Sequence, residues 1–86
     1  MKISRTDTFK KDYKKLSDQI KKSANKQIVQ LLIDHTHPSL NLEKLQSLDN
    51  IYSIRVNLQF RISLSIFDEE VILRRILSHD DLYRNP

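Results

Sequence analysis

From Ile51 onward, apolar side chains fall on every second residue, whereas between Phe9 and Ile33 they recur every three or four, and this change of period constrains the fold most. A period of two lines one face of a strand, and a period near 3.6 lines one stripe of a helix. In the first half, Phe9, Tyr13, Leu16 and Ile20 predict one helix after a short strand at Lys2–Arg5, with Thr6 or Asp7 as its N-cap. Ser23 or Asn25 then caps a second helix carrying Ile28, Val29, Leu31, Leu32 and Ile33, which ends near His35 because Pro38 disfavours helical geometry before it. Residues 34–50 read as an irregular connection with room for one helical turn, pinned by Leu40, Leu42, Leu45 and Leu48. Two half-buried strands follow, with Tyr52, Ile54 and Val56 inward on the first and Phe60, Ile62, Leu64 and Ile66 inward on the second; Val71–Leu77 makes a third. The expected fold class is α+β in the order β-α-α-β-β-β, with the two N-terminal helices on one face of an antiparallel sheet.

Length and composition narrow what such a fold does. Eighty-six residues sustain one domain, spanning 1–86. With no cysteine, disulfides, thiolate metal sites and cysteine nucleophiles are excluded; with no glycine, so are the glycine-rich loops that cradle nucleotide phosphates. No apolar run approaches the roughly 20 residues of a membrane span, so a soluble, cytoplasmic chain is expected, with no membrane partner. Residues 1–26 hold nine Lys/Arg against three acids, a net of +6, while the remainder holds six against eight, a net of −2. Lys10, Lys11, Lys14, Lys15, Lys21 and Lys22 cover the outer faces of the first helix and suit a polyanion. His35 and His37 have the spacing of a metal-binding pair, but no further ligands cluster beside them, and they read as loop residues.

Strand parity predicts where the arginines go. A three-residue loop at Asn57-Leu58-Gln59 opposes Val56 to Phe60 and Arg55 to Arg61 and keeps every apolar residue on one face; a two-residue loop would mix the faces. Two guanidinium groups directly opposite repel by about 1–3 kcal/mol, and an anion between them would relieve this. On the third strand, a two-residue turn at Asp68-Glu69 sends Arg74 to the same face and a three-residue turn sends Arg75 there. Either way, three arginines are expected on a sheet face free of helices.

The run Tyr52-Ser53-Ile54-Arg55-Val56-Asn57, then Phe60-Arg61-Ile62, then Arg75 and Ser78-His79-Asp80-Asp81-Leu82-Tyr83, resembles the RelE/ParE superfamily of type II toxins. The spacing Arg75-x3-His79-x3-Tyr83 most resembles the YafQ-like branch of RNA-cleaving toxins, in which an arginine, a histidine and a closing aromatic line the cleavage site. The resemblance implies a toxin held by a cognate antitoxin, reaching operator DNA only through that antitoxin and acting on mRNA, with the ribosome as a further partner. It implies no cofactor and no metal. Ser53 stands where some ribosome-dependent members place a lysine, and the further His and Asp of the YafQ-like branch are missing.

That chemistry suits these residue types. RNA supplies its own 2′-hydroxyl nucleophile, so cleavage requires a base, an acid for the leaving 5′-oxygen, and cations around the pentacoordinate phosphorus. His79 is the expected acid or base, because imidazole exchanges protons near neutral pH. Arg61 and Arg75 are assigned with it to catalysis. Arg55 and Arg74, with Lys10 and Lys14, are assigned to substrate binding, guanidinium groups presenting two parallel donors to phosphate. Tyr83 stacks on a base or donates a proton. Two other functions fit the same fold: a ParE-like inhibitor of DNA gyrase, for which His79 is dispensable, and a degenerate toxin that only binds its partners.

Overall fold

The structure, a computed structural model of the chain, describes residues 2–45 and 49–86; Leu48, an expected anchor, lies outside them. The elements are β1 (Lys2–Arg5), α1 (Asp7–Lys14), α2 (Asp18–Ile33), a 3-10 turn at Pro38–Leu40, β2 (Glu43–Lys44), β3 (Ile51–Arg55), β4 (Phe60–Phe67), β5 (Glu70–Ser78) and α3 (His79–Arg84). The five strands form one sheet in the order β1-β5-β4-β3-β2. β2 to β5 pair antiparallel, and β1 departs from the expected antiparallel arrangement by running parallel to β5.

The helical half carries the expected stripe but breaks in a different place. Ser17 accepts from the Ile20 amide at 3.3 Å and starts α2 six residues before the first expected cap, after Lys15 has closed α1. The apolar spacing runs across the break, because Phe9, Tyr13, Leu16 and Ile20 all still pack on the core. Thr6 is the cap of α1: its hydroxyl accepts from the Phe9 amide at 3.0 Å and donates to the Arg74 carbonyl at 2.7 Å, locking the strand-to-helix corner onto β5. Phe9, Ala24, Ile28 and Leu31 bury against Ile54, Val56, Ile62, Leu64, Val71, Leu73 and Ile76. Each of these side chains except the smaller Ala24 stabilises the fold by about 1.5–3 kcal/mol relative to exposure. Leu40 and Leu45 are buried and Leu42 packs against the core, as expected of anchors.

Turn chemistry follows from the absence of glycine. Among the described residues those with left-handed backbone, Asn41 (φ 45°), Asn50 (φ 58°) and Asp68 (φ 46°), are all Asn or Asp, the side chains that tolerate this region best. The β3–β4 register opposes Arg55 to Arg61 as parity required. At the next turn Phe67 pairs with Glu70 and Ile66 with Val71, so the two-residue alternative at Asp68-Glu69 is the one adopted. Parity then breaks: Ser63 pairs with Arg75 and Leu64 with Leu73, leaving Arg74 as the extra residue of a β-bulge. The bulge lets Leu73 and Ile76, three residues apart, both face the core. That spacing is its visible trace in the sequence.

The second face of the sheet is the main departure from expectation. It is covered, because α3 folds back across β4 and β5 and buries Leu82 completely. Ser53, Ser63 and Ser65, which alternate as a solvent face would, are buried, with Ser53 bonded to Arg61 and Ser63 to the Pro86 carbonyl beyond α3.

Candidate functional site

α3 begins directly after β5, with Ser78 as its cap, and places His79 and Tyr83 four residues apart on one helical face. The imidazole is 58% exposed, and the Tyr83 ring meets it edge-on at 4.5 Å between centroids. The Tyr83 hydroxyl donates to Glu43 Oε2 at 2.7 Å, so the aromatic is tied across the sheet to the β2 edge. Glu43 in turn lies opposite Ser53 on β3.

Ser53 leads to Arg61. Arg61 is 5% exposed; its Nε donates to Ser53 Oγ at 3.1 Å, and its Nη2 to the carbonyls of Asn41 at 2.7 Å and Ser53 at 3.3 Å. This corrects the expectation that Arg55 and Arg61 stand side by side on a free face. The repulsion is relieved by separation: Arg61 turns under the 41–45 segment onto neutral oxygens, while Arg55 stays exposed. Among the described residues Arg61 pairs with no carboxylate, so it is a buried cation held by the dipoles of Ser53 and Asn41.

The other arginines part company. Arg74 Nε donates to the Pro86 carbonyl at 3.2 Å, which also accepts from Ser63 Oγ at 2.9 Å, so Arg74 sits on the α3 side of the sheet and ties down the chain after α3. Arg75 is held at the opposite edge by Asp12 of α1: Nε and Nη2 donate to the two carboxylate oxygens at 3.0 Å each, and the Ile76 amide donates to the same carboxylate at 3.2 Å. Asp12 is nearly buried, and its hydrogen bonds push the Arg75 pKa above the ordinary arginine value. The Ile76 amide lies on β5 past the end of β1 and needs an acceptor there, which explains Asp12, a residue of α1 that helical periodicity gave no reason to single out. The expected convergence of Arg55 and Arg61 with one of Arg74 or Arg75 on a free face is therefore not found: Arg55 is exposed, and Arg61, Arg74 and Arg75 are held by Ser53 and Asn41, by Pro86 and by Asp12 in turn.

Lys10 and Lys14 are exposed on α1 and line a groove of about 450 Å³ with Arg5, Phe9, Lys11 and Tyr13. It shares no residue with the recess of about 360 Å³ beside His79. In the 34–37 loop, His37 Nδ1 accepts from the Ser39 amide at 3.1 Å and so starts the 3-10 turn. The Thr36 hydroxyl and amide both donate to Asp34, holding its carboxyl below the usual aspartate range. Glu43 is the site residue that sequence reasoning missed; it belongs to a two-residue strand that periodicity cannot detect.

With this geometry in hand, a family profile described as the ParE toxin of type II toxin-antitoxin systems, parDE, matches residues 3–83. The chain belongs to the ParE toxin family. Its fold is that of the wider RelE/ParE superfamily. The toxin in the RelB-RelE antitoxin-toxin complex of Methanococcus jannaschii is 25% identical with a TM-score of 0.77, the match covering 95% of this chain and 98% of that one. YafQ of E. coli is 21% identical with a TM-score of 0.75, covering 94% and 96%. The YoeB/ParE toxin of Agrobacterium tumefaciens is 15% identical with a TM-score of 0.79, covering 92% and 99%. The latter two show the shared fold alone. No curated protein matches the chain. As a ParE-family toxin, the chain has α3 and the bulged β5 as the elements that set its candidate site, and among its described residues no helix is long and apolar enough to cross a membrane.

Proposed function

We propose that this toxin is an endoribonuclease that cuts mRNA in association with the ribosome, by attack of the RNA 2′-hydroxyl on the adjacent phosphorus. The P–O5′ bond breaks, leaving a cyclic 2′,3′-phosphate and a 5′-hydroxyl, and the proton taken from the 2′-hydroxyl is balanced by one delivered to the 5′-oxygen. The observation that carries this reading is the exposed His79 imidazole, backed by the Tyr83 ring, whose hydroxyl Glu43 holds opposite Ser53, the residue that accepts from the buried Arg61; among the described residues Arg61 has no carboxylate partner. His79 exchanges the proton, and Arg61 with the exposed Arg55 stabilises the negative charge that develops on the phosphate oxygens. Glu43 holds the Tyr83 hydroxyl and thereby the ring that orients His79. Arg74 and Lys10 and Lys14 contribute long-range attraction for the RNA backbone, and Arg75 contributes once it exchanges Asp12 for phosphate.

RelE in the M. jannaschii complex and YafQ in the E. coli DinJ-YafQ complex are both bound to antitoxins. By the same logic this chain has a cognate antitoxin, through which alone it reaches operator DNA, and both act in the cytoplasm. Induction of the wild type with 5′ ends of cellular mRNA mapped tests the reading. New ends and translation arrest are expected, falling by on the order of 10²–10⁴ in His79→Ala.

The family match itself favours a second reading, since ParE-like inhibition of DNA gyrase needs no imidazole. In that case His79→Ala keeps full growth inhibition and no new mRNA ends appear in either strain.

A further inference from the structure

We propose that the recess between the β3–β4 loop and the start of α3 is a nucleobase pocket that selects bases carrying an exocyclic amine. The proposal rests on the RNA-cleaving reading for its biological meaning, though not for its test. Gln59, Phe60, Ser78, His79 and Asp80 line the recess. Its walls are fixed from both sides without a ligand. Asn57 Oδ1 accepts from the Gln59 and Phe60 amides at 2.8 Å each, the His79 amide donates to the Gln59 carbonyl at 2.8 Å, and Phe60 pairs with Ser78 across the sheet. A pocket held in this way loses little conformational freedom when it is filled.

The lining indicates what fills it. The half-buried Phe60 offers an aromatic face, on which any base stacks. Asp80 offers a carboxylate whose one side-chain contact among the described residues is the 3.4 Å approach of its neighbour His79 Nδ1. A carboxylate only accepts, so it suits the amines of cytosine, adenine and guanine and opposes the carbonyls of uracil. The same negative charge makes the recess a poor seat for phosphate. His79 forms one wall, so a base held here leaves its own phosphate next to the imidazole.

The test uses amide NMR of the wild-type protein titrated with CMP, AMP, GMP, UMP and, as a base-free control, ribose 5-phosphate. Shifts at Gln59, Phe60, Ser78, His79 and Asp80 are expected to saturate at roughly tenfold lower concentration for CMP than for UMP. Asp80→Asn is expected to close that gap while leaving the stacking shifts at Phe60. Equal shifts from ribose 5-phosphate, no shifts with any nucleotide, or an unchanged CMP preference in Asp80→Asn would each overturn the pocket. Because no cleavage is needed, base binding by a toxin that leaves mRNA intact would sink the nuclease reading alone, and cleavage without base binding would sink the pocket alone.

Discussion

The two faces of the sheet bury their residues by different means. On the α1–α2 face Ile54, Ile62, Leu64, Leu73 and Ile76 interlock with two helices, and dispersion and water exclusion do the work. On the other face the buried residues include Ser53, Arg61, Ser63 and Ser65, the covering helix α3 has six residues with Leu82 as its buried apolar side chain, and hydrogen bonds must satisfy what is removed from water. They do: among the described residues no buried side-chain nitrogen or oxygen lacks a partner. A face held by apolar packing resists local change, whereas one held by a few polar ties opens at low free-energy cost. The candidate site lies on the second kind.

The largest expected effect belongs to the apolar face. Leu64→Ala leaves a cavity between β4 and the helices and is expected to destabilise by about 2–5 kcal/mol, read as a fall in chemical-denaturation midpoint at constant slope. A loss under about 1 kcal/mol would mean that the helices collapse onto the gap and that the two faces differ less than their composition implies.

Next comes Arg61, the centre of the polar face. Arg61→Ala leaves the Asn41 carbonyl and the Ser53 hydroxyl without this donor and is expected to cost about 1–3 kcal/mol. Arg61→Met, which also removes the buried charge but fills the space, is expected to recover part of that stability while RNA cleavage stays as low as in Arg61→Ala. Stability and activity rising together in Arg61→Met would assign Arg61 to packing alone.

This contrast also decides how much could be read from the sequence. The apolar face is encoded by period, and the β3–β4 register, with Arg55 opposite Arg61, follows from parity and burial alone. The α1–α2 break escaped because Leu16 and Ile20 keep helical spacing across it while the deciding contact, Ser17 to the Ile20 amide, is local. The polar face escaped more completely. Serines alternating with apolar residues look like a solvated face, and nothing in a strand pattern reports that a later short helix will cover it. His79 and Tyr83 come together because a helix start turns a spacing of four into adjacency, but Glu43 and Asp12 are brought to their arginine and tyrosine partners by tertiary structure that no local pattern records.

The smallest expected effect divides Tyr83 into its two parts. Its hydroxyl makes an exposed bond to Glu43, and its ring meets His79. Tyr83→Phe keeps the ring and is expected to cost less than about 1 kcal/mol, since a solvent-accessible polar pair contributes little. If the ring's contact with the imidazole is what matters, mRNA cleavage in Tyr83→Phe stays near wild type and falls sharply in Tyr83→Ala, with thermal melting showing both variants folded. If Tyr83→Phe loses as much cleavage as Tyr83→Ala, the hydroxyl takes part in proton transfer and the Glu43 contact belongs to the chemistry. Glu43→Gln separates these further: it retains an acceptor for the hydroxyl but removes the charge, so an effect in Glu43→Gln without one in Tyr83→Phe would place the carboxylate itself at the reacting atoms.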